Sequence, residues 1–160
     1  MCIRDRDKTV CKAEDVTALA FRRRGEETAR FHLNADNGTW LSGDGAPAPE
    51  ATGKALDGIR SLLENFQAAG VAAYDAKRPD RYGFDDPFLV VEIETRTVLG
   101  KKIVVGGKCE GGRFVDGPAT DYVLIITPEQ AQDLAAPLPP AQKGEKLRKR
   151  PGARPKRAAR

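Results

Sequence analysis

The stretch that decides the fold is residues 16–41, which read VTALAFRRRGEETARFHLNADNGTWL. Residues 16–24 read as a strand with Thr17, Leu19 and Phe21 on one face and Val16, Ala18 and Ala20 on the other. Apolar and polar side chains alternate over 28–34, a period of two that is typical of strands with one face in the core. Gly25-Glu26 separates the two runs and Asp36-Asn37-Gly38 follows the second. Since these are residues that tight turns use, the stretch predicts an antiparallel hairpin that continues into a third short strand over 39–41.

The two faces of this predicted hairpin differ in composition. The side chains expected to face the core are Thr17, Leu19, Phe21, Ala29, Phe31 and Leu33. Arg30, His32 and Asn34 alternate with them, so we expect one face of the sheet to be in contact with water.

A helix is predicted after the hairpin. Leu56, Ile59, Leu63 and Phe66 follow helical spacing, which predicts an amphipathic helix over about 52–69. Its expected N-cap is Thr52, and Gly70 is expected to end it.

The second half of the chain returns to strands. These are predicted over 88–94, 101–105 and 122–127, and a short helix is predicted from 128 to about 134. Runs of strands with hairpin-length links favour antiparallel pairing. The predicted fold class is therefore α+β, a mostly antiparallel sheet from two strand runs covered by one amphipathic helix.

Charge divides the 160-residue chain into unlike parts. Residues 141–160 hold nine basic residues and one acidic residue, whereas the preceding 140 residues carry a net charge of −4. We expect a single α+β domain over 15–138 and a disordered basic tail over 139–160. The residues of this tail expected to contact a polyanion are Lys146, Arg148, Lys149, Arg150, Lys156 and Arg157.

The N-terminal residues 1–14 do not fit the domain. Met1-Cys2-Ile3-Arg4-Asp5-Arg6 resembles an adapter-derived start, so we expect this segment to be artefactual or truncated. If the native N-terminus is missing, the expected location is membrane-anchored and extracytoplasmic; otherwise it is cytoplasmic.

The sequence contains no convincing motif for catalysis or for cofactor binding. Gly43–Ala48 matches G-x-G-x-x-A by letter but contains proline, and Gly106–Cys109 is interpreted as a loop with the wrong spacing for a phosphate-binding loop. Cys11 and Cys109 could form a disulfide or remain free thiols, and His32 is the only histidine. We expect no metal site, no cofactor, no small-molecule substrate and no enzymatic activity; a hydrolase that uses His32 is a remote alternative.

Two aromatic residues are expected to anchor the fold. Trp40 ends the N-terminal strands, and Tyr82 begins the turn Tyr82-Gly83-Phe84-Asp85-Asp86-Pro87 that enters the second run. This turn resembles the Tyr-Gly-Leu-Asp-x-Pro signature of the domain of unknown function 4340 family. The structural signature residues are Trp40, Tyr82, Gly83, Asp85 and Pro87, with Phe84 in place of the leucine.

The resemblance covers about residues 15–138 and implies a location rather than a reaction. Members of that family are extracytoplasmic or membrane-anchored bacterial domains, often encoded beside auxiliary parts of ABC-type transporters related to gliding motility. No catalytic residues are agreed for the family, so none are transferred. The printed sequence differs from the family pattern in two ways: it shows no N-terminal transmembrane helix, which fits the truncated start expected above or a soluble variant, and it carries the basic tail.

Two functions are therefore expected. The first is a non-enzymatic accessory domain that binds a protein partner in a bacterial envelope or ABC-transport-associated assembly. Its tail would then either contact anionic lipid or have no binding role. The alternative is a soluble nucleic-acid-associated protein that binds through its basic C-terminal tail.

Overall fold

The sheet and the helices form the α+β architecture that the sequence predicts. A computed structural model describes residues 7–8, 11–73, 79–97, 100–116 and 122–139. In these residues the strands are β1 (Asp7–Lys8), β2 (Val16–Arg23), β3 (Ala29–Leu33), β4 (Trp40–Ser42), β5 (Phe66–Gln67), β6 (Gly70–Ala73), β7 (Leu89–Thr95), β8 (Lys101–Cys109), β9 (Gly112–Asp116) and β10 (Val123–Ile126). The helices are α1 (Glu50–Glu64), α2 (Pro79–Tyr82) and α3 (Pro128–Ala135), with a 3-10 turn at Ala13–Asp15.

Eight of these strands form one antiparallel sheet in the order β4-β3-β2-β7-β8-β9-β10-β6. The two halves of the chain meet where β2 pairs with β7, with Leu19 opposite Ile93 and Phe21 opposite Val91. Strands β1 and β5 form a separate two-stranded sheet. The antiparallel α+β fold class is thus confirmed.

The core lies on the face of the sheet that α1 and α3 cover. Leu19 and Phe21 face it, as the alternation predicts. Thr17 does not; Val16 is buried in its place. The register of the β2–β7 pair shifts between Val16 and Ala18, and such an irregularity changes which side chains face the core.

The helix α1 is displaced from its predicted bounds. It begins at Glu50 after Pro49 rather than at Thr52, and Leu56, Ile59 and Leu63 are its buried residues. Proline before the first turn is compatible with a helix start because its fixed φ is already suitable. The helix ends at Glu64, and within the predicted extension over 65–69 the structure has the short strand β5 instead. Gly70, the expected end of the helix, is the first residue of β6.

The helix α3 matches its prediction closely. Thr127 caps it: the Thr127 hydroxyl accepts from the backbone N–H of Gln130 at 3.2 Å, and the Gln130 side chain accepts from the N–H of Thr127 at 3.0 Å. This reciprocal arrangement satisfies two backbone donors that a helix start leaves free. Ala131 and Leu134 then bury one side of α3 in the core.

The prediction of a loop at Gly106–Cys109 is wrong. The strand β8 extends through these residues to Cys109 and pairs with β9. The register of this pair shifts between Val105 and Lys108, which accommodates the glycines as an irregularity within the strand. No helix of the described residues is both long enough and apolar enough to span a bilayer.

Candidate interaction surfaces

The Tyr82 turn packs on the face of the sheet opposite α1. Tyr82 ends α2 and is 8% exposed, and its ring meets that of Phe114 edge-on at a centroid distance of 5.0 Å. Gly83 follows at a φ of +74°, a conformation that residues with a Cβ rarely adopt. A Cβ at Gly83 would also lie 2.7 Å from the backbone nitrogen of Gly107. The backbone of the turn is therefore in direct contact with the backbone of β8.

Gly106 forms the other side of this approach. A Cβ there would overlap the carbonyl oxygen of Tyr82 and lie 2.8 Å and 2.9 Å from two ring carbons of Phe84. Both partners of the contact thus require glycine. This contact explains the sequence Tyr82-Gly83 by packing rather than by chemistry.

The remaining two signature residues of the turn lie at the surface. Asp85 is exposed and Pro87 is partly buried. Between them, Asp86 forms an ion pair with Arg24 at the end of the β2–β3 hairpin. Because both side chains are more than half exposed, this pair contributes little to stability.

Trp40 joins the hairpin to α1. It is 3% exposed, and its indole Nε1 donates to Oδ1 of Asp57 at 2.9 Å. The same carboxylate lies 3.4 Å from Arg60 Nη1. The structure thus separates Trp40 and Tyr82, which lie on opposite faces of the sheet.

A second surface is the uncovered part of the face opposite α1, where β3, β2 and β7 run side by side. One cross-strand row places His32 opposite Ala18 and Ala18 opposite Glu94. The next row places Arg30, Ala20, Glu92 and Lys102 across four strands. Two alanines therefore form the floor between a wall of Arg30 and His32 on β3 and an acidic wall of Glu92 and Glu94 on β7. We call these residues the open face.

The open face is accessible. Arg30, His32, Glu92 and Glu94 are all exposed, and they surround a depression of about 210 Å³. His32 lies on the polar side of β3, as its position in the alternation predicts. Glu92 and Glu94 are set apart from His32 by the width of β2, so the three do not converge on one point.

Three consecutive arginines, Arg22-Arg23-Arg24, lie at the C-terminal end of β2, next to the turn of the β2–β3 hairpin. Arg23 donates from Nη2 to the carbonyl oxygen of Pro139, and its Nε bonds Oε2 of Glu26 at 3.0 Å. This contact brings the last described residue, Pro139, to the β2–β3 hairpin. The six tail residues expected to contact a polyanion, 146, 148–150, 156 and 157, lie outside the described residues.

The two described cysteines are free thiols. Cys11 is buried in the core and Cys109 is partly buried, and burial raises the pKa of both thiols. Of the two pairing alternatives, the structure has the unpaired one. A raised pKa lowers the thiolate fraction and hence the reactivity near neutral pH.

One exposed carboxylate has a shifted pKa. The hydroxyl of Ser42 and the backbone N–H of Ala46 both donate to Asp44 and hold its pKa below the ordinary value. This local network closes the Gly-rich loop after β4, the same loop that matches the G-x-G-x-x-A letters. Asp44 therefore stabilises the conformation of this loop by accepting hydrogen bonds from within it.

The described residues contain no group of three or more potential metal ligands. Comparisons with protein-family models, with curated proteins and with solved structures found no match. The open face and a cleft beside α3 are the features that sequence reasoning did not assemble. The alternation places Arg30 and His32 in water, but only the β2–β7 pairing brings Glu92 and Glu94 beside them.

Proposed function

We propose that this chain is a non-enzymatic accessory domain of a bacterial envelope assembly, associated with ABC-type transport, and that it binds a protein partner through the open face. The observation that carries the binding mode is that Ala20 lies between the opposite charges of Arg30 and Glu92, and that the neighbouring Ala18 lies between His32 and Glu94. The envelope setting is supported by the resemblance of the Tyr82 turn.

The open face has the properties that a protein partner needs. The strand β2 lies between β3 and β7 in the middle of the sheet, so the backbone under the two alanines is held on both sides. Small side chains at Ala18 and Ala20 let a partner approach the sheet closely. The charged walls then favour one orientation of the partner and disfavour others, because like charges brought together are repelled.

The test reverses the acidic wall. Glu92→Lys with Glu94→Lys changes the open face without changing a core residue, and Glu27→Lys with Glu110→Lys makes the same charge change at two exposed turn positions away from it. Each tagged protein is used to capture partners from bacterial envelope fractions, with quantification by mass spectrometry. A partner retained by the wild type and by the turn variant but lost by the open-face variant supports the proposal. The same partners in equal amounts on all three proteins contradict it.

A second candidate function is binding of an anionic polymer or surface through residues 141–160. The observation that favours it is the contact between Arg23 and the carbonyl oxygen of Pro139, because Arg23 belongs to the run Arg22-Arg23-Arg24 and Pro139 comes two positions before the +8 segment 141–160 in the sequence. Phosphate-rich ligands attract such clusters, and their binding weakens steeply with salt.

The tail hypothesis is tested by truncation after Pro140. Full-length and truncated chains are titrated with duplex DNA and with vesicles of anionic lipid over a range of salt concentrations. Loss of binding on truncation, with a smaller dependence on salt, supports the hypothesis. Equal binding by the two chains refutes it, and binding of only one of the two ligands identifies which of them the tail contacts.

A further inference from the structure

A cleft of about 520 Å³ opens between the β8–β9 hairpin and α3, on the helix-covered side of the sheet and away from the open face. The strand side supplies Lys108 and Arg113, and the helix side supplies Ala131 and Gln132. Phe88 also lines the cleft. The cleft therefore combines two cations, one amide and an apolar wall.

Arg113 is held in place within the cleft. Its guanidinium carbon lies 3.8 Å from the centroid of the Phe88 ring, and its Nη1 donates to the carbonyl oxygen of Gly106 at 3.1 Å. A guanidinium has five N–H donors in a planar fork, so these contacts leave donors for a further acceptor. A cation stacked on an aromatic ring is also oriented before any ligand arrives.

The charge of this cleft is one-sided. Lys108 lies directly opposite Arg113 in the β8–β9 register, which places both side chains on the same side of the hairpin. Among the described residues, Arg113 forms no ion pair, and the residues that line the cleft include no carboxylate. Partial burial lowers the pKa of Arg113 through desolvation, but a guanidinium remains charged in proteins. A partly desolvated cation of this kind gains from an anionic partner.

We propose that this cleft binds a small organic anion, in which a carboxylate or phosphate head is joined to an apolar ring. The head lies between Lys108 and Arg113, where a planar fork and a flexible ammonium can both donate to its oxygens. The ring lies along Pro128 and Ala131, and the Gln132 amide donates at the mouth of the cleft.

The ligands for the test separate the head from the ring. Phenyl phosphate and benzoate carry both parts, inorganic phosphate carries only the head, and benzyl alcohol carries the ring without charge. Each is titrated into the ¹⁵N-labelled full chain, and amide shifts at Gly111, Gly112 and Arg113 are followed. Saturable shifts at these amides with phenyl phosphate or benzoate, and at least tenfold weaker binding of inorganic phosphate and of benzyl alcohol, support the site. The comparison of phenyl phosphate with benzoate shows which head is preferred.

Variants locate the site. Lys108→Gln removes one cation and Gln132→Glu adds an anion at the mouth; both residues are exposed, so the fold tolerates the changes. Each is expected to weaken binding about tenfold, the effect of losing one charge-assisted contact. Lys54→Gln on α1 removes the same charge at an exposed position that does not line the cleft and should leave binding unchanged. Binding that is unaffected by Lys108→Gln, or weakened equally by Lys54→Gln, overturns the proposal, as does the absence of saturable shifts.

Discussion

Replacing Gly106 by alanine is the sharpest test of how the Tyr82 turn is attached to the sheet. The new methyl group would overlap the carbonyl oxygen of Tyr82 and lie within 2.9 Å of the Phe84 ring. The ring could rotate away, but the carbonyl belongs to the backbone between α2 and Gly83. We therefore expect the turn to shift off β8 rather than absorb the substitution.

The size of the effect follows from the kind of obstacle. Overpacking a well-packed site costs about 1–3 kcal/mol, and a backbone obstacle places Gly106→Ala near the upper end, at about 3 kcal/mol. That is a large part of the roughly 5–15 kcal/mol that stabilises a typical domain. The melting temperature should fall by roughly 10 °C for a domain of this size.

Gly58→Ala provides a matched control with the opposite expected sign. Gly58 lies inside α1, and a Cβ there would meet nothing within 4 Å. Alanine in an exposed helix interior is more favourable than glycine by about 0.8–1 kcal/mol. The same chemical change is therefore expected to stabilise one site and destabilise the other.

Urea unfolding followed by fluorescence measures both variants. Trp40 is the single tryptophan and is buried in the core, so its emission reports unfolding of the domain. With a slope of about 2 kcal/mol per molar urea, Gly106→Ala should lower the midpoint by about 1.5 M. If Gly106→Ala unfolds within about 0.3 M of the wild type while Gly58→Ala is stabilised as expected, the turn does not contact β8 as described.

Three further predictions concern other contacts. Tyr82→Ala should lower the free energy of unfolding by about 3–5 kcal/mol, whereas Tyr82→Phe, which keeps the ring, should stay within about 1 kcal/mol; equal losses in urea unfolding would contradict a packing role. Trp40→Phe removes the hydrogen bond to Asp57 and some buried area, so the free energy of unfolding should fall by about 2 kcal/mol in urea unfolding followed by circular dichroism. An unchanged urea midpoint would contradict that contact. The Ser42 hydroxyl lowers the pKa of Asp44, so this hydrogen bond stabilises the fold at pH values above the unfolded-state pKa of Asp44, and the stabilisation is lost as the pH falls through the folded-state pKa. Ser42→Ala should therefore raise the pKa of Asp44 in a carboxyl ¹³C titration, and an unchanged pKa would refute the assignment.

The elements with a clean period were predictable from the sequence. The strand β3 alternates apolar and polar side chains, β2 and β3 are joined by clear turn residues, and α3 has a clear start signal; the observed bounds of all three agree with the prediction within one or two residues. Local physical chemistry is sufficient in these cases, because turn residues and helix caps act on their own neighbours.

The elements that depend on distant partners were not predictable. Phe66 continues the apolar spacing of α1, yet it lies in β5, which pairs with β1. Gly70 is a residue type that commonly ends helices, but it lies in β6 and pairs with β10. The sequence gives no local signal for these pairings, since the partner strands are more than 50 residues away. The open face and the α3 cleft escaped prediction for the same reason.

The Tyr-Gly turn shows why a motif can indicate a fold without indicating an activity. Tyr82 fills a place over β9, and Gly83 and Gly106 are required because two backbone segments come closer than a Cβ permits. Each of these requirements is met by packing alone, and none of them needs a ligand. A chain with this turn should therefore keep the same attachment of α2 to the sheet whatever its surfaces bind. The sites proposed for binding lie outside the turn, at Glu92 and Glu94 on the open face and at Lys108 and Arg113 in the cleft, so substitutions there test binding without disturbing this attachment.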